Sequence, residues 1–251
     1  MPQETKVKTL AKAIKLLECF SIEEPELGVT ELSEKLDLYK SNVHNILSTY
    51  QEYGYIEKNP KTNKYHLGYK ILELSKVVNS HLGISSIVNP VIKELAEELN
   101  EVVYFAIPKG PKVLYIEGAY PKNVYSIRVM LGETAEMYCT ALGKAMLANM
   151  PIADALPCIH AQSFTPFTDN TITTPNRLIQ ELELTRTRGY SMDNMEHEYG
   201  IKCVGVPIFN RNNQLIGAIS VSGPSLRFDE NAVKQFSDKL TSCALTVSLR
   251  L

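Results

Sequence analysis

Val29–Leu47, VTELSEKLDLYKSNVHNIL, contains two short apolar periods separated by a turn, and the architecture of the N-terminal third is read outward from it. Thr30 is expected to cap a helix that carries Leu32 and Leu36 inward. Asp37 to Tyr39 read as a tight turn. A further helix over about Lys40 to Tyr53 then buries Val43, Ile46, Leu47 and Tyr50, and Gly54 ends it. Upstream, Leu10, Ile14 and Leu17 recur at helical spacing with lysines on the other face, and Pro25 to Gly28 break that helix. Downstream, Tyr55–Lys58 and Lys64–Leu67 are strand-like pieces around a turn at Asn59, Pro60 and Asn63. Three helices with a tight turn between the second and third, followed by a hairpin, make a winged helix-turn-helix. The third helix is the candidate for the major groove of DNA.

Beyond this segment Ile71, Leu74, Val78 and Leu82 predict a linker helix broken by Gly83. Val88, Val91, Ile92, Leu95 and Leu99 predict another, with Pro90 in its first turns. From Val102 the period shortens, so Val102–Ile107, Val113–Ala119 and Val124–Met130 read as strands. A helix follows around Leu142–Asn149. Residues 151–175 read as irregular, and a helix covers about Asn176–Arg188. Ile201–Phe209 and Leu215–Ser222 read as an antiparallel pair, with Pro207 marking the first as an edge or bulged strand. Asp229 caps a final helix, with Phe228 and Val233 as a hydrophobic staple and Phe236, Leu240, Ala244 and Val247 on its buried face. The expected division is residues 1–68 as a winged helix-turn-helix, 69–83 as a linker helix and 84–251 as a second domain. Helices on a mostly antiparallel sheet make that domain, and the protein, α+β.

The 251 residues suffice for two domains. No apolar run reaches the roughly 18 residues that span a bilayer, and no signal-peptide core opens the chain. The five cysteines, Cys19, Cys139, Cys158, Cys203 and Cys243, are scattered and form no CxxC pair. Neither a disulfide framework nor a zinc ribbon is suggested, and a reducing cytoplasm is the expected home. A net charge of −2 does not by itself mark a nucleic-acid binder. Acidic residues crowd Glu23 to Asp37 while lysines flank them, a pattern that could supply phosphate contacts but also suits an ordinary solvated surface.

The segment Gly189–Asn210, GYSMDNMEHEYGIKCVGVPIFN, resembles the signature of the IclR family of bacterial transcription regulators. It aligns through Gly189, Asp193, Glu196, Cys203, Val204, Gly205, Ile208, Phe209 and Asn210. The helix-turn-helix run quoted above, the wing end KYHLG, the TALGKAMLA segment and the strand end SVSGP match in order along nearly the whole chain. The resemblance implies a winged helix-turn-helix, a linker helix and a GAF-like effector-binding domain. It also implies dimers or tetramers, and repression as the more frequent mode. Many members have an arginine where this chain has Asn45, so the operator is not transferable from relatives.

The DNA-facing candidates are Thr30, Lys40, Ser41, Asn42, His44 and Asn45, with Lys58, Lys61 and Lys64 on the wing. Serine and asparagine reach base edges or phosphate, and asparagine pairs bidentately with adenine. In the second domain the TALGKA segment is no phosphate loop. Tyr138 stands where glycine is needed, and Ala145 where Ser or Thr is. A turn into a helix N-terminus still offers backbone N–H groups to a carboxylate. The resemblance supports that use at Ala141 and Leu142, and assigns effector contacts to Asp193, Ile201, Cys203, Ser220 and Ser222, with Val124 and Ile127 as pocket walls. Ser220 and Ser222 share a strand face, and an ionised Asp193 would accept hydroxyl hydrogen bonds. The expected partners are thus duplex operator DNA and a small organic acid, and the SMDNMEHEYGIKCVGVPIF tract looks closest to the branch that senses 2-keto-3-deoxygluconate. A short keto acid or an aromatic acid is the alternative, as is an interaction module without ligand. An enzyme would need Cys203, His197 and Asp193 as a triad, but nothing in the sequence activates the thiol. Cys139, His160, His197 and Cys203 lack metal-ligand spacing, so no cofactor is expected.

Overall fold

The computed structural model describes residues 7–122 and 129–251, without the side chains of residues 79–82. The chain forms two compact units, Met1–Leu82 and Gly83–Leu251.

In the first unit α1 (Lys8–Leu17), α2 (Val29–Leu36) and α3 (Lys40–Glu52) precede an antiparallel hairpin of β1 (Ile56–Lys58) and β2 (Tyr65–Leu67), and α4 (Lys70–Leu82) follows. Leu16, Leu32, Val43, Leu47, Ile56 and Tyr65 make its core. Asp37 adopts φ +51° between α2 and α3, where Ser33 Oγ donates to the Leu38 carbonyl at 2.5 Å. Leu27 joins the wing through paired backbone hydrogen bonds with Tyr65, both 2.9 Å.

Two local expectations are corrected. Thr30 is not the N-cap of α2. Gly28 is, and its N–H donates to the Glu31 carboxylate at 2.6 Å, which leaves Thr30 exposed in the first turn. The Leu10–Ile14–Leu17 stripe of α1 is not the buried one either. Leu16 is buried, Leu17 is half-buried, and Leu10 and Ile14 stay exposed. Leu74 and Val78 of α4 are exposed as well. Among the described residues nothing covers Leu10, Ile14, Leu74 or Val78.

The second unit contains α5 (Ile84–Leu99), β3 (Val102–Lys109), β4 (Lys112–Ala119), β5 (Thr134–Glu136), α6 (Ala141–Asn149), α7 (Ile152–His160), α8 (Pro175–Arg188), β6 (Ser191–Asn194), β7 (Ile201–Phe209), β8 (Leu215–Pro224) and α9 (Glu230–Ser248). The strands form one antiparallel sheet in the order β5-β4-β3-β8-β7-β6. α5 and α9 pack together on the sheet, and α6 packs against β7 and β8 with α8 beside it. Alternation sends Val102, Tyr104 and Ala106 into the α6 side of the core. α6 is buried from Ala141 to Ala148, so it needs small residues. Gly143 is one. A Cβ there would lie 2.3 Å from Met137 Cα, closer than any side chain tolerates.

Asp229 caps α9 through Ala232 N–H at 2.8 Å, with Phe228 and Val233 buried as expected. Residues 151–175 are less irregular than expected, because α7 forms with Pro157 inside it. Of the strand expected over Val124–Met130 only Val129 and Met130 fall within the described residues, and neither is in a strand. Pro207 lies in a strand paired to β8 on one side, but β6 stops pairing at Gly205, so the proline sits where β7 is itself an edge.

Candidate functional site

The strand registers set out a platform of two rows. Asp193, Cys203, Ser222 and Val102 lie directly opposite one another across β6, β7, β8 and β3. Two residues along, on the same face, run Ser191, Gly205, Ser220 and Tyr104. The start of α6 is seated over the second row. Ser191 Oγ donates to the Ala141 carbonyl at 2.6 Å, and a Cβ on Gly205 would meet Ala141 carbon and oxygen at 3.0 Å. The glycine lets a helix N-terminus approach the sheet this closely.

Between that N-terminus and the platform lies a cavity of about 270 Å³. It brings together seven residues proposed from sequence, Ala141, Leu142, Asp193, Ile201, Cys203, Ser220 and Ser222. Val124 and Ile127 lie outside the described residues. Thr140 caps α6, its Oγ1 accepting from Gly143 N–H at 3.2 Å and donating to the Glu136 carbonyl at 2.9 Å. The first backbone N–H groups of a helix have no partner within it, so Ala141 and Leu142 offer donors beside the cavity.

Sequence reading missed the rest of the lining. Tyr104 and Tyr115, in edge contact at 5.3 Å between centroids, and Met130 form an apolar wall. Strand alternation marks the two tyrosines as buried but not as facing a void. At another part of the cavity Arg227 holds the buried Glu101, Nε to Oε1, at 2.7 Å. The pair lies 126 residues apart in sequence, so no local signal could reveal it.

Beside the cavity Lys144, with no side-chain exposure, pairs with Glu196 Oε1 at 2.5 Å. Asp193 Oδ1 accepts the N–H of Glu196 at 2.7 Å and of His197 at 3.4 Å. Burial pushes the Asp193 carboxyl up to about 7; Lys144 opposes that rise and Glu196 adds to it. Cys203 donates to Ser222 Oγ at 3.2 Å, and burial, then Asp193, pushes its thiol well above its ordinary range. A thiol held protonated is not an activated nucleophile. Among the described residues no group of three or more His, Cys, Asp or Glu could hold a metal ion.

In the first unit Val43 and Leu47 face the core, so Ser41, Asn42, His44 and Asn45 are exposed on the opposite side of α3, as are Thr30 and Lys40. On the wing Lys58 and Lys61 are exposed. Lys64 is different. Its Nζ lies 2.7 Å from Glu31, and Glu26 accepts from Asn59 and Thr62 at 2.8 and 3.0 Å. Two residues of the acidic stretch, Glu26 and Glu31, therefore hold the wing.

A winged helix-turn-helix in one unit and a cavity of mixed polar and apolar lining in the other define a DNA-binding transcription regulator with a separate effector-binding domain. The chain belongs to the IclR family: residues 9–60 match the IclR helix-turn-helix domain and residues 76–249 the bacterial transcriptional regulator IclR C-terminal domain. It is similar to the HTH-type transcriptional regulator XynR of Escherichia coli, 29% identical over 98% of this chain and 97% of that one. It is also similar to the HTH-type transcriptional regulator KdgR of the same organism, at 28% over 99% of this chain and 94% of that one. These near-equal identities single out no branch, so the expected 2-keto-3-deoxygluconate branch gains no special support. Among solved structures the Thermotoga maritima IclR superposes with a TM-score of 0.79 at 31% identity, covering 97% of this chain and 98% of that one. No helix among the described residues is long and apolar enough to cross a membrane.

Proposed function

We propose that this chain is a cytoplasmic repressor without enzymatic activity. It binds operator DNA as a homodimer, itself able to form a tetramer, and is switched by a small organic acid in the α6 cavity. Residues 1–68 would bind DNA, 69–83 would link, and 84–251 would bind the effector. α3 would enter the major groove, with Thr30, Lys40, Ser41, Asn42, His44 and Asn45 toward DNA and Lys58 and Lys61 on flanking phosphates. The exposed apolar stripes on α1 and α4 suit a second copy, since an uncovered apolar surface marks an interaction site.

The observation that carries the effector reading is the helix N-terminus seated against the two-row platform at the cavity. Its donors and dipole favour a carboxylate, while Asp193, Ser220 and Ser222 supply polar partners for the remainder of the ligand. A volume of about 270 Å³ is at the small end of ligand pockets, which run roughly 300–1,000 Å³. A six-carbon sugar acid such as 2-keto-3-deoxygluconate fits that size and polarity. The wall of Tyr104, Tyr115 and Met130 favours a small aromatic acid as a second reading.

The test is calorimetric titration of 2-keto-3-deoxygluconate, pyruvate and 4-hydroxybenzoate into the full chain, with and without operator. At least one acid should bind and change operator affinity. Ser222→Ala and Asp193→Ala should keep operator binding and lose roughly ten- to hundredfold in acid affinity, the effect of about 1–3 kcal/mol for a lost buried hydrogen-bond partner. Wild-type acid affinity in both variants would place the effector elsewhere.

A further inference from the structure

Among the described residues the effector cavity is bordered by more carboxylate than cation. Lys144 on α6 is the buried ammonium beside Asp193, and it is already held by Glu196 at 2.5 Å, with Glu181 at 3.9 Å. Arg188 is taken by Glu181 and Arg227 by Glu101. Among the described residues Asp193 has no Lys or Arg within ion-pair distance. Around it stand Lys144 from α6, Glu196 and His197 from the turn after β6, Cys203 from β7, Tyr115 from β4 and Cys139 ahead of α6. The His197 ring packs on Phe167 at 5.4 Å between centroids. A carboxylate arriving at the start of α6 would join Asp193, Glu196 and Glu181 as the fourth acid group around Lys144, in a space that water leaves. Burial on this scale favours the neutral form of one of them.

We propose that Asp193 stands protonated in the unliganded cavity near neutral pH and donates that proton as a hydrogen bond to an acceptor oxygen of the effector. Lys144 and Glu196 are positioning residues. They fix the turn whose N–H groups hold Asp193 Oδ1, and they set the local potential. The upward displacement of the Asp193 carboxyl to about 7 agrees with this arrangement. The inference rests on the cavity being the effector site, and it narrows the ligand class. The effector must present a keto or carboxylate oxygen to Asp193, not a hydroxyl donor as an ionised aspartate would require. In binding, the effector anion keeps its charge and the proton stays on Asp193, so an ionised pocket takes up one proton from solvent per effector bound.

Two measurements on the full chain test this. In the first, the carboxyl infrared band of Asp193 is isolated as the difference between wild type and Asp193→Asn, without ligand, from pH 5 to 9. The protonated band should persist at pH 6 and disappear with a midpoint near neutrality. Lys144→Met should move that midpoint up, and Glu196→Gln, which frees the ammonium, should move it down, a response that loss of packing alone would not produce. In the second, 2-keto-3-deoxygluconate and pyruvate are titrated at pH 6 and 8. The acid that binds should weaken about tenfold in wild type between the two, by proton linkage. Asp193→Asn, neutral and still a donor, should bind it with no pH dependence. An Asp193 already ionised at pH 6 overturns the inference, as does pH-independent binding in wild type that Asp193→Asn abolishes. If neither acid binds wild type while 4-hydroxybenzoate does, this inference falls and the effector reading stands; if none of the three binds, both fall. Failure of the infrared midpoint alone leaves the effector reading standing.

Discussion

Lys144 Nζ lies 2.5 Å from Glu196 Oε1 with the lysine side chain wholly out of water, joining α6 to the turn that follows β6 across 52 residues of sequence. Two ions removed from water cost several kcal/mol each, and their attraction repays this only while both are present. The pair thus fixes where α6 sits relative to Asp193, whose partner N–H groups belong to Glu196 and His197.

Breaking the pair from one side should be costly. Lys144→Met leaves Glu196 buried and uncompensated and should lose about 3–5 kcal/mol of stability, while Glu196→Met leaves Lys144 with only Glu181 at 3.9 Å and should lose somewhat less. The double replacement should recover most of that, because two apolar side chains of similar volume carry no desolvation penalty. Urea unfolding of the four proteins measures the cycle. A double variant as unstable as the sum of the singles would show that packing, not charge, sets the cost.

Asp193 makes stability depend on pH with a sign opposite to that of most carboxylates. Its folded value, raised by burial to about 7, lies above its ordinary value of 3.8. The native state therefore keeps a proton that the unfolded chain releases. The protonated aspartate costs nothing below pH 4. Stability then falls as pH rises from about 4, and the loss is complete once pH passes about 7. The difference amounts to a few kcal/mol by linkage. Asp193→Asn should remove this fall, so variant and wild type should differ more at pH 8 than at pH 5. Parallel stability curves across that range would show that Asp193 is ionised throughout.

Most of the elements were legible because their signals are local. The Val43–Leu47 spacing, the turn at Asp37 and the Asp229 cap each act within a few residues, and each appears where the periodicity puts it. The site was partly legible. Ser220 and Ser222 share a face by alternation, and Ala141 and Leu142 follow a cap-like threonine. That these meet in one cavity is a matter of register between β6, β7, β8 and β3, which no single strand encodes. β5 and β6 are about as short as β1 and β2, but no turn like that at Asn59, Pro60 and Asn63 pairs them with a neighbouring strand-like piece. The apolar period of Leu10 and Ile14 marks one face of α1 but not what covers it, and both stay exposed.

Gly205 should tolerate no side chain. A Cβ there would stand 2.9 Å from Ser191 Oγ and 3.0 Å from the Ala141 backbone, so α6 must lift off the sheet or the strand must shift. Overpacking of this kind costs roughly 1–3 kcal/mol. Gly205→Ala should lower the urea midpoint and, by displacing the donors at Ala141 and Leu142, weaken effector binding more than operator binding. Unchanged unfolding and unchanged acid affinity together would show that the backbone approach is not needed.

The last prediction separates lysines that look alike in sequence. Lys58 and Lys61 are exposed on the wing, whereas Lys64 is tied to Glu31, whose carboxyl is held below its usual range by Lys64 first and by the Gly28 N–H second. A lysine that neutralises a phosphate releases counterion and adds about 0.9 to the salt slope. Lys58→Ala should therefore weaken specific and random DNA alike and flatten the slope by about one unit. Lys64→Ala should flatten it less, because Glu31 already claims part of that charge, and should instead loosen the wing at Gly28 and Tyr65. Asn45→Ala belongs to a third type. Exposed on α3, it should cost about 1–3 kcal/mol at a subset of base pairs and relax discrimination there. Fluorescence anisotropy on operator and scrambled duplexes, at four salt concentrations, reads all three. Equal slopes for Lys58→Ala and Lys64→Ala would mean that the Glu31 pair opens on DNA. Equal losses on operator and scrambled DNA for Asn45→Ala would mean that Asn45 touches only the backbone.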